Sequence, residues 1–169
     1  MERLQADGAL VQLSERFTNS AAFGALFREG MDLVEETAAY LDGAGRNEAK
    51  ALDRSVSLTY ATESMRLTTR LMQLASWLLL HRAVKEGEMT LIQANREKTK
   101  VKLSAADPGP NDTIEKLPTQ LQDLIHRSMS LQTRVRRLDT TIHNPPADHI
   151  AIGNPLVPHL NALKAAFER

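Results

Sequence analysis

Cysteine is absent from all 169 residues, which excludes disulfides, a thiolate nucleophile and zinc sites built on thiolate ligands, and agrees with a reducing compartment. Aromatic residues supply only 4% of the chain against 42% hydrophobic residues overall. The apolar content is carried mainly by Leu, Ala and Met, which are helix formers, and sheet-favouring residues are sparse. Neither sign of charge dominates, with 21 Lys and Arg against 21 Asp and Glu, so no global field steers the protein toward nucleic acid. No window of about 18 apolar residues suggests a membrane span. The N-terminus, MERLQADGALVQLSERF, places Glu2, Asp7 and Glu15 where a signal peptide needs a basic start and an apolar core. A cytoplasmic protein is expected.

Catalytic signatures are equally sparse. There is no Glu-x-x-His pair for a di-iron site, no HExxH, and no Gly-Lys dipeptide for a Walker loop. Gly43-Ala44-Gly45 is too short for a dinucleotide fingerprint and follows a helical pattern, so it reads as a helix terminator. His143, His149 and His159 are separated by six and ten residues, which matches no standard ligand spacing. No catalytic residue, metal or cofactor is expected.

What is present is helical periodicity. Ser20 caps a predicted helix in which Phe23, Phe27, Met31, Val34, Ala38 and Leu41 share one face. Asn47 is the expected cap of a second helix that meets no Gly or Pro before Gly87, up to forty residues or about 60 Å. Thr90 and Gln93 have capping-box spacing and open a shorter helix whose end carries Arg96, Lys98, Lys100 and Lys102. SAADPGPND reads as a loop. Leu117, Leu121, Leu124, Ser128, Leu131, Val135, Leu138 and Ile142 then alternate steps of four and three, the pattern of a helix packed lengthwise on another. Pro118 fits its first turn.

Prolines 145, 146, 155 and 158 break the next stretch, after which Leu156, Leu160, Leu163 and Phe167 repeat at helical spacing behind Asn154 and Pro155. The fold class is therefore all-α: a three-helix bundle with a short extra helix and a flexible C-terminal tail. Residues 1–19 form an arm, 20–143 the bundle, and 144–169 a tail with a short amphipathic helix. Such a helix is marginal alone and docks on this protein or on something else.

Between Arg70 and Arg82 the run LMQLASWLLLH is apolar almost all the way round. Contact with two neighbouring helices widens the apolar sector to about half the circumference. The remaining apolar positions need further cover, and Leu71, Leu74, Trp77 and Leu78 are expected in the dimer contact or the core. A second subunit would supply it; burial inside a larger monomeric bundle would also do so.

Two stretches invite functional readings. LLLHRAVKEG resembles the exposed histidine of a phosphotransfer helix, although Lys85 and Gly87 lie four and six residues after His81 rather than at the His-x-x-Lys-Gly spacing. Arg134, Arg136 and Arg137 flank Val135 and read as a solvated flank paired with Glu35, Glu36 or Glu63, or as a protein-binding patch. Charge is also unevenly distributed: residues 1–60 hold ten acids and six bases, residues 61–169 eleven acids and fifteen bases. Solvated helix faces and a two-signed surface for two partners both fit.

FREGMDLVEETAAYLDGAGR and ATESMRLTTRLMQLASWLLLHRAVKEGEMT closely resemble the RcdA family, the regulators of CtrA degradation of alphaproteobacteria. The resemblance covers residues 20–104 and extends more weakly through Leu117 to Ile142. It implies a mostly antiparallel three-helix bundle, a homodimer and no enzymatic activity. It also implies an adaptor role: joining a ClpXP protease primed by a CpdR-like response regulator, and tethering cargo transcription factors or a cyclic-di-GMP-binding adaptor for cell-cycle-timed degradation, with recruitment to the cell pole. A purely structural dimer and a phosphotransfer protein are the alternatives. From the residues themselves, Glu29, Asp32, Glu35 and Glu36 are expected to form one docking patch, and Lys98, Lys100, Arg134, Arg136 and Arg137 another. Leu156, Leu160, Leu163 and Phe167 are the expected docking helix.

Overall fold

A computed structural model of the chain describes residues 8, 16, 17, 20–98, 100 and 108–143. Six helices and no strand occur among them: α1 (Ala21–Asp42), α2 (Ala44–Lys50), α3 (Arg54–Lys85), α4 (Leu91–Lys98), α5 (Asn111–Ile114) and α6 (Thr119–His143). The three long helices, α1, α3 and α6, make an all-α bundle. The C-terminal segment, with Leu156, Leu160, Leu163 and Phe167, lies outside the described residues.

Cross-helix contacts fix the directions. Phe27 meets Arg82 and Tyr40 sits near Tyr60, while Glu36 and Glu29 meet Arg127 and Arg134, so α1 is antiparallel to both α3 and α6. Arg70 meets Ser128 and His81 meets His143, so α3 and α6 run parallel. A parallel pair requires the chain to return along the bundle between them, and α4, the Pro108-Gly109-Pro110 turn and α5 belong to that return. Glu63 ties the turn down by accepting the Gly109 amide at 3.0 Å.

Ser20 caps α1 as expected, its hydroxyl accepting from the Phe23 amide at 3.3 Å. The buried face differs from the expected one. Phe23, Leu26, Gly30, Leu33, Thr37 and Tyr40 point inward, whereas Phe27, Met31, Val34 and Leu41 are half-buried and Ala38 is exposed. Gly30 and Thr37 complete the inner stripe without being strongly apolar; at Gly30 the reason is close approach by α3, since a Cβ there would lie 2.4 Å from Leu78 Cδ1.

The forty-residue helix is also corrected. Asn47 lies inside α2, not at a cap, and a non-helical step at Ala51-Leu52-Asp53 separates α2 from the 32-residue α3. Tertiary contacts fix this corner: Tyr40 donates to Glu48 at 2.8 Å, and Gly45 is buried against both Tyr40 and Tyr60. Near the other end of α3, Gly87 adopts φ +74°, a value that favours glycine. Thr90 and Gln93 then close the expected capping box, with reciprocal bonds of 2.9 and 3.2 Å.

In α6 the expected stripe is buried at Leu121, Leu124, Ser128, Leu131, Val135 and Ile142, and half-buried at Leu138. Pro118 stands one residue before the helix and offers its carbonyl to the Gln122 amide at 3.1 Å. Leu117 is buried just ahead of it.

Candidate protein-docking surface

The run between Arg70 and Arg82 divides cleanly between core and surface. Leu71, Leu74, Trp77 and Leu78 are buried within the single chain. Arg70 is fully buried as well and donates to Ser128 Oγ at 2.8 Å, which accounts for a serine in an otherwise apolar stripe. On the opposite side, Met72 and Leu79 are 66% and 51% exposed, and Met65 and Leu58 continue the line at 72% and 70%. Leu58, Met65, Met72 and Leu79 are spaced by seven, so they drift only about 20° per step around the helix. Between Ser55 and His81 the ionisable side chains are Tyr60, Glu63, Arg66, Arg70 and His81. Tyr60, Glu63, Arg70 and His81 are buried, while Arg66, held by Glu63 at 2.6 Å, keeps a 41% exposed side chain at the flank of this line. The outward line of α3 from Leu58 to Leu79 therefore carries large apolar side chains with a single charge, Arg66, beside it, a composition that marks protein interfaces. Beside it, Val34, Ala38, Leu41, Thr68, Leu71 and Ala75 line an apolar groove of about 170 Å³ between α1 and α3.

The expected charged patches are largely interlocked. Arg134 forms a two-pronged pair with Glu29, and Arg127 binds Glu36 at 2.7 and 2.9 Å, so acids of α1 and bases of α6 neutralise each other across the bundle. Glu63 pairs with Arg66 rather than with the arginines of α6. Lys98 is mostly buried and lies 2.9 Å from both oxygens of Asp139; Lys100 pairs with Glu97. Asp32 and Glu35 are exposed on α1, Arg137 is exposed on α6, and Arg136 is half-buried.

A polar cluster closes the far end of the bundle. Trp77 Nε1 and Lys98 Nζ both donate to Asp139, each at 2.9 Å. His81 stacks on the Trp77 indole, with ring centroids 3.9 Å apart. Its Nδ1 donates to the Trp77 carbonyl at 2.9 Å, because a carbonyl only accepts. The neutral ring then presents Nε2 as an acceptor, 3.4 Å from His143 Nε2. Burial is the main cause that lowers the His81 pKa to about 4, and it lowers that of His143 as well. A phosphotransfer histidine must be exposed, and His81 is 1% exposed; the geometry removes the feature on which that alternative rests. Among the described residues no helix is long and apolar enough to cross a membrane.

The sequence model of a family described as "Protein of unknown function (DUF1465)" matches residues 14–167. The crystal structure of RcdA from Caulobacter crescentus CB15 superposes with a TM-score of 0.63 at 51% identity, covering 76% of this chain and 96% of that one. This chain belongs to the RcdA family. No curated protein matches it significantly. The exposed apolar line of α3 is a surface suited to binding rather than to chemistry. Sequence periodicity alone did not single out that face, because the seven-residue spacing of Leu58, Met65, Met72 and Leu79 lies within a helix whose inner stripe is equally apolar.

Proposed function

We propose that this protein is a non-enzymatic, cytoplasmic adaptor that acts as a homodimer. It tethers cargo, or a second adaptor that binds cyclic-di-GMP, to a ClpXP protease primed by a CpdR-like response regulator, for cell-cycle-timed proteolysis at the cell pole. The observation that carries this reading is the 51% identity to RcdA over 76% of the chain. The α3 face supports it, since an adaptor needs surfaces that hold two partners at once and thereby raise the local concentration of cargo. Binding supplies the whole effect, without a bond being made or broken.

Reconstitution tests it. ClpXP, the CpdR-like receiver and candidate cargo from the same organism are combined with and without this protein, and cargo decay is followed on gels. Acceleration that requires both the receiver and this protein is the expected result. Cargo decay indifferent to this protein, across the cargo captured from lysate, would overturn the reading in favour of a structural dimer.

A further inference from the structure

We infer that the valley between α1 and α3 is the seat of this chain's own C-terminal stripe, with Leu156, Leu160 and Leu163 packed along it and Phe167 filling the groove beside Ala38. This goes beyond the adaptor reading and does not rest on it. A partner that takes the stripe must first lift it from the valley.

The valley is an apolar face that the bundle itself leaves uncovered. Phe27, Met31, Val34, Ala38 and Leu41 have the spacing of a core face, yet other residues of α1 take the inward positions, so these remain half-buried or, at Ala38, exposed. Across from them Met72 is 66% exposed. Where Val34, Ala38 and Leu41 meet Thr68 and Met72, the valley deepens into the groove of about 170 Å³. Ala38 makes the depression, being the one small side chain in its row.

Size and supply identify the occupant. A cavity of about 150 Å³ holds a benzene ring, so the groove takes one aromatic side chain. The chain has seven Phe, Tyr and Trp residues, and the six among the described residues are all buried or half-buried in the bundle. Phe167 alone lies beyond them, at helical spacing with three leucines. As a helix, Leu156 to Phe167 spans about 16 Å, against about 15 Å from Met31 to Leu41.

The segment can reach. His143 packs beside His81, and Met72 stands nine residues before His81 on α3, about 14 Å along the axis with one helix diameter of about 10 Å to cross. Twelve residues separate His143 from Leu156, enough for about 40 Å when extended.

Charge and bulk fit the two walls. Between Thr68 and Leu79, α3 bears only the buried Arg70, and Arg66 lies about 180° around the helix from Ala75, toward Glu63 and Gly109. The α1 rim carries the exposed Glu35 and Asp42. On the stripe, Ala162 and Ala166 adjoin one flank and permit close approach, while Lys164 adjoins the other and suits the acidic rim; Glu168 and Arg169 cancel each other.

The test uses the full-length chain, which has no cysteine of its own. Ala38→Cys puts a thiol in the groove, and its rate of reaction with a small aromatic disulfide reagent reports whether the groove is covered. Thr133→Cys, exposed on α6, is the control, and Met72→Cys repeats the measurement from the opposite wall. Adding Leu163→Asp and Phe167→Asp should speed labelling at both groove sites about tenfold, the gain expected when a seat filled in roughly nine molecules of ten is emptied. The control rate should not change. Protection should be equal at all protein concentrations, because seat and occupant share one chain. Equal rates with and without the two aspartates, at either groove site, would overturn the proposal. Protection that fades on dilution would also overturn it, by assigning the cover to a second copy.

Discussion

The guanidinium of Arg70 and the hydroxyl of Ser128 meet at 2.8 Å in the centre of the bundle, with both residues fully buried. Ser128 in turn donates to the Ile125 carbonyl at 2.7 Å, which leaves its oxygen lone pairs for Arg70. Removing the hydroxyl takes an acceptor from a buried charge, so Ser128→Ala should cost about 1–3 kcal/mol. Arg70→Met in the Ser128→Ala background should recover much of that loss, because a well-packed apolar pair often replaces a buried polar one without penalty. Urea unfolding of the two single variants and the double variant measures the coupling directly.

Gly45 is the tightest point of the corner between α1 and α3. A Cβ there would lie 2.6 Å from the Tyr60 hydroxyl oxygen and 2.9 Å from two ring carbons of Tyr40. The rings cannot swing away cheaply, since Tyr40 is bonded to Glu48 and both tyrosines are buried. Gly45→Ala should destabilise by about 1–3 kcal/mol from overpacking, despite alanine's better helix propensity of about 1 kcal/mol. A Cβ on Gly24 would meet no neighbouring side chain within 4 Å, so Gly24→Ala should stabilise, and thermal melts of the pair test the sign of both effects.

These positions show what the sequence made legible and what it hid. Helix starts written in local chemistry, such as Ser20 and the Thr90–Gln93 box, could be read directly. The steps of four and three through α6 likewise fixed its buried face. The inner face of α1 was misplaced because its closest contact uses a glycine, and hydrophobicity patterns do not register a residue chosen for smallness. The step between α2 and α3 was hidden because packing of Gly45 and the Tyr40–Glu48 bond, rather than Gly or Pro at the break, accompany it. Arg70 looked like the polar border of an apolar run and is part of its core. The exposed apolar line of α3 was hardest to see, because one helix carries two apolar faces and periodicity cannot say which of them the chain covers itself.

Burial holds His81 neutral and lowers its pKa to about 4, against about 6.5 in the unfolded chain. The unfolded state therefore binds more protons between these values, and stability rises with pH across that window. The His81 contribution is complete above about pH 6.5 and is lost as pH falls toward 4; His143 moves in the same direction. The His81 share is at most about 3 kcal/mol. His81→Phe should flatten the acid limb of stability between pH 6.5 and 4, as measured by urea titration at each pH. A slope unchanged in that variant would remove His81 from the account.

The paired charges of α1 and α6 separate structural from binding roles. Glu36→Arg with Arg127→Glu should restore most of what either reversal loses, about 1 kcal/mol or less for a half-exposed pair, the shortfall coming from Asp123, which also pairs with Arg127 at 3.2 Å. Asp32 and Glu35 are exposed on the same helix and offer charge for a partner. Reversing both should leave the thermal melt within about 2 °C of the parent, corresponding to an effect of roughly 0.5 kcal/mol or less. It should weaken capture of one basic partner from lysate while sparing dimerisation; a capture profile identical to the parent's would remove α1 from the docking surfaces.

The segment after His143 is the last element to assign. His143 packs edge-on against His81, with ring centroids 5.5 Å apart, and Ile142 is buried, so a truncation that respects the bundle ends after His143. Leu156, Leu160, Leu163 and Phe167, the stripe proposed for docking, are removed together by that cut. If those residues engage cargo or a second adaptor, the truncated protein should retain its helical bundle and its dimer yet lose acceleration of cargo decay. Circular dichroism and sedimentation report the first two, and the reconstituted protease reports the third. Loss of cooperative unfolding on truncation would make the tail part of the core; full delivery without it would move cargo binding onto the bundle itself.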